Sequence, residues 1–299
     1  MSAAQLDIVV RDIQTVFGAW TAETTLEQMR QDWDNIFSQH PVENGSRCVT
    51  VDAGGVSAMQ VSAPGARPDQ AILYLHGGGY AFGSPRSHRD IGCLLSEAAQ
   101  AEVFVLDYRL APEHVFPAAV EDATAAYQWL LAQGFEPERI VIAGDSAGGG
   151  LTMATLLSVR DNGLPRPACA VALSPWVDMT LEAETLVTKA TEDPIVQREM
   201  LLQLVDMYLG SSDRTQPLAS PLHADLTGLP PLLIQVGERE TLLDDSRNLA
   251  RRAREAGADV QLEIEPNQVH VFQIFASRLD QGRAAIERIG EFIRTHVSG

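Results

Sequence analysis

From about residue 46 the chain alternates between short, continuously apolar runs and longer stretches with helical spacing. No other feature restricts its fold as much. AILYLH (71–76), VFVLDY (103–108), IVIAG (140–144), ACAVALS (168–174), PLLIQVG (231–237) and VQLEIE (260–265) have the length of strands. Most lack the in–out alternation of a half-solvated strand, so both of their faces must be covered. That is the condition of a parallel sheet whose crossover helices pack on either side. Helical patterns over 118–133, 147–161, 242–256 and 278–296 supply those layers. CVTVDAGGVSAMQV reads as two more strands around a Gly54-Gly55 turn. The order of elements therefore predicts an α/β sheet with helices on both faces.

Two regions stand outside the alternation. In the first forty residues, Leu6, Val9, Val10, Ile13, Phe17 and Trp20 recur at helical spacing. Thr24 and Glu27 resemble a capping box for a second helix carrying Leu26, Met29, Trp33 and Ile36 or Phe37. Acidic rather than basic residues flank these apolar stripes, so packing onto the same chain is favoured over a membrane surface. A long interval also separates the strands at 168–174 and 231–237. Asp193-Pro194 reads there as a helix start, continued by Ile195, Met200, Leu201, Leu204, Val205 and Tyr208. An insertion of this length is more often functional than idle. The two regions together are expected to cover one edge of the sheet.

Charge narrows the partners. Lys+Arg total 22 against 40 Asp+Glu, a formal net charge of −18. A field of that sign repels phosphate backbones and anionic lipid, so neither nucleic acid nor membrane is an expected partner. Cys48, Cys93 and Cys169 are odd in number and show no metal-ligand spacing. Free thiols in a reducing, cytoplasmic compartment are expected. The N-terminus lacks the pattern of a signal peptide, and no apolar run approaches the length of a membrane span.

Gly144-Asp145-Ser146-Ala147-Gly148 is a G-x-S-x-G motif that follows one expected strand and opens one expected helix. Its glycines permit a sharp strand-to-helix turn that lifts a serine hydroxyl out of the sheet above a helix N-terminus. A neutral serine needs a base, and the base an orienting acid, in the chain order Ser, acid, His. Of the histidines that follow Ser146, His296 lies in the last helix and His223 precedes the strand at 231–237. His270 lies in the loop after VQLEIE, at the carboxyl end of a strand where sites of open α/β sheets form. The acid should follow the strand at 231–237, where Glu238, Glu240, Asp244 and Asp245 crowd one segment; spacing does not choose among them. Asp244 and Asp245 fall near a helix start and could serve its amides. His76-Gly77-Gly78-Gly79 follows a strand directly, the pattern of an oxyanion loop, with the N–H groups of Gly78, Gly79 and Ala147 as donors. His76 precedes the serine and is expected to orient that loop. Arg109 is expected to pin its own loop by pairing with Glu113 or Asp122.

HGGGY (76–80), DYRLAPEHVFPAAVEDA (107–123), GDSAGG (144–149) and SPWVD (174–178) resemble the bacterial hormone-sensitive-lipase-like esterases of the α/β-hydrolase superfamily. HGGG with GDSAGG is far more specific than either alone. The resemblance implies a mostly parallel eight-stranded sheet with a helical cap. Residues 1–45 would then be N-terminal cap helices and 177–215 an inserted cap segment. Residues 46–176 and 216–299 would form the catalytic domain. It also implies Ser146 as nucleophile, His270 as base, and Gly78, Gly79 and Ala147 as oxyanion donors. The family has Asp-Pro-Leu-x-Asp for its acid; Glu240-Thr241-Leu242-Leu243-Asp244 stands in its place. Glu240 takes the acid position one methylene longer, with Asp244 as the alternative, and the proline is absent. Trp176 is a candidate for the substrate pocket. The expected activity is a cofactor-free, metal-free serine carboxylesterase acting on small-molecule esters of short to medium chain. A lipase or amidase on the same triad and a non-catalytic receptor on this fold are the alternatives. A homodimer is a family expectation.

Overall fold

The computed structural model describes residues 2–21 and 23–297. Eight strands form one sheet: β1 (Arg47–Asp52), β2 (Ser57–Ser62), β3 (Arg67–Leu75), β4 (Ala101–Leu106), β5 (Ile140–Asp145), β6 (Cys169–Leu173), β7 (Leu232–Gly237) and β8 (Val260–Glu265). Their spatial order is β1-β2-β4-β3-β5-β6-β7-β8. β2 runs antiparallel to β1 and to β4, and the pairs from β4 through β8 are parallel. This is the α/β-hydrolase architecture expected from the sequence. It carries nine α-helices among the described residues: α1 (Ser2–Phe17), α2 (Leu26–Phe37), α3 (Arg89–Ala99), α4 (Ala118–Ala132), α5 (Ala147–Asp161), α6 (Thr185–Thr188), α7 (Arg198–Leu209), α8 (Leu243–Glu255) and α9 (Asp280–His296).

The continuous apolar runs are explained by two cores. Leu73, Leu75, Ile142, Ala170, Ala172 and Ile234 share one cluster with residues of α4, α5 and α8. Their chain neighbours Ile72, Tyr74, Val141, Ala143, Val171 and Leu233 join α3 and α9 in the other. Successive side chains of a strand point to opposite faces, and each face here meets a helical layer. The catalytic candidates accordingly stand beyond the strands' carboxyl ends rather than within the sheet.

Several details differ from the sequence reading. Residues 89–99 form α3, which no helical pattern had marked, although Ile91, Leu94, Leu95 and Ala98 have the spacing. Gly92 weakens the pattern; a Cβ on it would lie 3.1 Å from Val105 Cγ2, so the helix packs tightly on β4. The cap of α2 is Thr25, whose hydroxyl accepts the Gln28 N–H, rather than Thr24. α1 ends at Phe17, short of Trp20. The largest correction falls on Asp193-Pro194. The helix begins at Arg198, because Asp193 folds residues 193–196 into a turn by accepting the N–H groups of Ile195 and Val196.

The N-terminal helices do not cover a sheet edge. Leu6, Val9 and Ile13 of α1 and Ile36 of α2 pack on Val269, Phe272, Phe275 and Leu279, at the carboxyl ends of the strands. Arg30 of α2 reaches the carbonyls of Ala81 and Ala111 at 2.8 Å each and forms a two-pronged pair with Glu113. Glu113 is thereby unavailable to Arg109, which instead pairs with Asp122 and Glu121. Of the two partners expected for Arg109, Asp122 is the one found, so the loop after β4 is pinned as anticipated.

Candidate active site

Ser146 joins β5 to α5 with φ 55° and ψ −119°, a backbone conformation unusual for a residue with a side chain. It is held there because its N–H donates to the Leu173 carbonyl at 2.8 Å and its carbonyl accepts from Gly150 and Trp176, each at 3.0 Å. The turn also presses α5 against β3. A Cβ at position 144 would lie 2.3 Å from the Gly148 carbonyl oxygen, and one at 148 would lie 1.9 Å from that of Leu75. The two glycines of the motif are thus required for space.

His270, 6% exposed, lies beyond the carboxyl end of β8. Its Nε2 is 2.9 Å from Ser146 Oγ, and its Nδ1 is 2.8 Å from Glu240 Oε2. The carboxylate fixes the proton on Nδ1, which leaves Nε2 free to accept from the serine. Glu240 is fully buried. Its other oxygen accepts the Gly237 N–H and the Ser174 hydroxyl, the latter at 2.7 Å. Ser174 Oγ in turn accepts the N–H of Val271 at 3.1 Å. One hydroxyl therefore ties the loop bearing the carboxylate to the loop bearing the imidazole.

The other three acidic candidates point elsewhere. Glu238 accepts the Asn267 N–H. Asp244 accepts the Thr185 N–H and pairs with Arg247, anchoring α6. Asp245 accepts the N–H groups of Val177 and Asp178. Burial drives its carboxyl up to about 8, against the lowering effect of the Val177 N–H.

Burial pushes the His270 imidazole down. The charge and hydrogen bond of Glu240 more than offset this, and Asp193 and Asp145 add to it, so its pKa lies above the ordinary histidine value. His76 is the opposite case. Burial and the nearby His88 bring it down to about 3. It is neutral, stacked on Tyr108 with ring centroids 4.2 Å apart, and its Nδ1 lies 2.8 Å from the Gly77 carbonyl. Its place is beneath the glycine loop.

That loop is fastened from below by Asp145, the variable position between Gly144 and Ser146 in the motif. Asp145 Oδ1 accepts the Gly77 N–H at 3.0 Å and the Tyr74 hydroxyl at 2.8 Å, and lies 3.4 Å from His88 Nε2. Burial opposes its ionisation, but His88 and Tyr74 prevail and its pKa is lowered. Gly78 has φ +114°, accessible only to glycine, and its Cβ would strike the Phe82 carbonyl. Ala147 is the first residue of α5, so its N–H has no acceptor within its own helix.

Gly78, Gly79, Ser146, Trp176 and His270 border one cavity of about 50 Å³. Apart from His88 and Asp145, the rest of its wall is apolar, with Phe17, Trp20, Trp33 and Phe37 from the N-terminal segment, Phe82, and Ile195, Val196, Met200, Leu201 and Leu204 from the insertion among its members. Phe17, Trp20, Trp33 and Phe82 lie nearly parallel, with successive centroids 4.7–5.9 Å apart. Helical spacing marked most of these side chains as packing residues. It could not say that their partner surface is the site. Trp176 borders the cavity and also packs, at 1% exposure, with its indole N–H on the Asp178 carbonyl at 3.2 Å. Tyr208 is stacked on Tyr80 at 3.7 Å and does not border the cavity.

Residues 72–274 match the α/β hydrolase fold family. The chain is 49% identical over 232 residues to an acetyl-hydrolase of Streptomyces hygroscopicus, covering 78% of each protein. It is 35% identical over 258 residues to an esterase of Acinetobacter venetianus, covering 86% of this chain and 84% of that one. Among solved structures, an esterase of the bacterial hormone-sensitive lipase family superposes with a TM-score of 0.96 at 48% identity over 99% of each chain. A hormone-sensitive lipase from a metagenome library superposes with a TM-score of 0.94 at 40% identity, over 98% of each chain. Fold, motifs and relatives agree, and the chain belongs to the hormone-sensitive-lipase-like family of α/β hydrolases.

Proposed function

We propose that this protein is a serine carboxylesterase that hydrolyses short- to medium-chain esters through an acyl-enzyme on Ser146. The observation that carries the reading is the unbroken relay of 2.9 Å from Ser146 Oγ to His270 and 2.8 Å from His270 to Glu240, opening on an apolar cavity. His270 Nε2 takes the hydroxyl proton as Ser146 Oγ attacks the ester carbonyl. The N–H groups of Gly78, Gly79 and Ala147 receive the negative charge that grows on the carbonyl oxygen. The imidazolium, held by Glu240, returns its proton to the departing alcohol. Water then repeats the sequence on the acyl-enzyme and releases the carboxylic acid. Residues 1–45 and 177–215 act as one cap over this site, and the three unpaired cysteines fit a cytoplasmic protein.

The cavity supports the shorter acyl lengths. Its volume of about 50 Å³ and its aromatic walls favour short acyl chains over long ones. A panel of nitrophenyl esters is expected to give the highest kcat/KM at two to about six acyl carbons and a steep fall beyond. A rate that instead climbs when long-chain substrates pass their solubility limit would favour the lipase alternative.

The pH profile is a second check. His270 must be neutral to act as base, and its raised pKa places the acid limb of kcat/KM above the usual value of about 6.5. Activity is expected to fall as pH drops through that limb. A limb set at or below the ordinary histidine value would contradict the Glu240–His270 pairing.

A further inference from the structure

Asp193 was marked in the sequence as a helix start and begins no helix. It is 2% exposed and sits in the inserted segment between α6 and α7. Its two oxygens face two different parts of the site. Oδ1 accepts the N–H groups of Ile195 at 2.9 Å and Val196 at 3.0 Å, the backbone of the cavity wall. Oδ2 accepts the N–H of Thr241 at 2.8 Å and lies 3.1 Å from its hydroxyl. Thr241 directly follows Glu240, and its carbonyl accepts the Thr185 hydroxyl at 2.8 Å. Three backbone N–H groups thus converge on the carboxylate, the arrangement an ionised acid accepts, and the Thr241 hydroxyl lies between it and the Val196 carbonyl at 3.2 Å. A proline at 241 could supply neither the N–H nor the hydroxyl. The segment carrying Glu240 is thus held by the cap through groups that its own sequence, Glu-Thr-Leu, makes available.

We propose that Asp193 is a positioning residue for the catalytic acid: its carboxylate locks the backbone beside Glu240 to the cap wall that contacts substrate. The inference rests on the esterase reading above. It makes the insertion part of the catalytic machinery as well as the pocket. Three acidic groups, each from a different element, raise the pKa of His270: Glu240 from the loop after β7 by direct contact, and Asp193 from the insertion and Asp145 from the end of β5 by their charge. Removing the charge of Asp193 while keeping its size therefore has two consequences. Glu240 loses a fixed backbone on one side, and the imidazolium loses one of its three negative neighbours. A cap that was merely docked would show itself in KM and thermal stability and would leave the ionisation of His270 in place.

The test compares the wild type with Asp193→Asn, Thr241→Val and the double variant, using nitrophenyl acetate and butyrate from pH 5 to 9. Asp193→Asn is expected to lower kcat on the order of 10–100-fold on both esters with KM within about threefold, since a misplaced catalytic group acts on the chemical step. Its acid limb should move to lower pH. Thr241→Val keeps the charge and one of the two donors, so it should lose kcat by a smaller factor with its limb unmoved. The double variant should be no worse than Asp193→Asn, because both changes break one connection. Wild-type kcat in Asp193→Asn, or a loss confined to KM with the limb in place, overturns the proposal. If Asp193→Asn does not fold, Thr241→Val decides, and an unchanged kcat in it is the refuting result. A wild type that neither turns over esters nor takes up a fluorophosphonate would refute the esterase reading itself, a result distinct from all of these.

Discussion

Alanine in place of Ser146 is expected to reduce kcat on the order of 10⁶-fold, the loss seen when the nucleophile is removed from a serine hydrolase whose triad acts as a unit. The relay has no substitute for that oxygen. The nearest other hydroxyl in it, Ser174 Oγ, is fully buried and engaged with Glu240 and Val271. The variant should fold normally. Alanine retains the Cβ already accommodated at φ 55°, and the three backbone hydrogen bonds that hold the turn do not involve the side chain. Glycine loop and cavity remain, so residual turnover of about 10³–10⁴ over water can persist from oxyanion stabilisation and binding alone. Steady-state kinetics on nitrophenyl butyrate, with circular dichroism as a folding control, checks the magnitude. Fluorophosphonate labelling checks the site, since the reagent should modify the wild type at Ser146 and leave the variant unlabelled. Turnover near the wild-type rate in a folded, unlabelled variant would remove the acyl-enzyme mechanism altogether.

Much of the fold was legible because it depends on patterns of short range. Runs such as Ile140–Gly144 are apolar without alternation because α5 and α9 cover opposite faces of the sheet, and that condition leaves its mark in the run itself. The juxtaposition of Ser146 and His270 was legible for a related reason: each is placed beyond the carboxyl end of one strand. The acid was not. Glu238, Glu240, Asp244 and Asp245 lie within eight residues, and what separates them is the direction in which a tight turn points each carboxylate. Family resemblance singled out Glu240; spacing could not. The contacts of Ser174, Asp145 and Asp193 were illegible for the same reason, since each joins a loop distant in sequence. Asp145 reaches back to Gly77, and Asp193 reaches forward to Thr241. The cap shows the limit most clearly. The stripe of Val9, Ile13 and Phe17 predicts a buried face, yet nothing local distinguishes a face laid on a sheet edge from one laid beside the cavity that Ser146 borders.

The identity of the acid yields the other large effect. Glu240→Ala is expected to lower kcat by about 10⁴-fold, the scale found when the orienting carboxylate of such a triad is neutralised. Glu240 is fully buried and its two oxygens do different work: Oε2 holds the imidazole proton, while Oε1 is gripped by Gly237 and Ser174. Loss of the side chain leaves His270 free to present the wrong tautomer and strips the imidazolium of its nearest counter-charge. The acid limb of kcat/KM should accordingly shift to lower pH, because the raised pKa of His270 rests chiefly on Glu240 once burial has been overcome. Glu240→Asp is the sharper probe. Shortening the side chain draws the carboxylate back by about 1.5 Å, one carbon–carbon bond, which a turn clamped at Gly237 and Thr241 cannot follow. A displacement of that size costs about 10² in rate at a well-ordered site. The aspartate that the family resemblance implies for this position should therefore be a poor replacement here. Asp244→Ala should keep nearly full kcat and lose thermal stability, since its carboxylate serves Thr185 and Arg247 at the base of α6. If Asp244→Ala is the variant that loses activity while Glu240→Ala keeps it, the acid is Asp244, and the pairing of Glu240 with His270 is only structural.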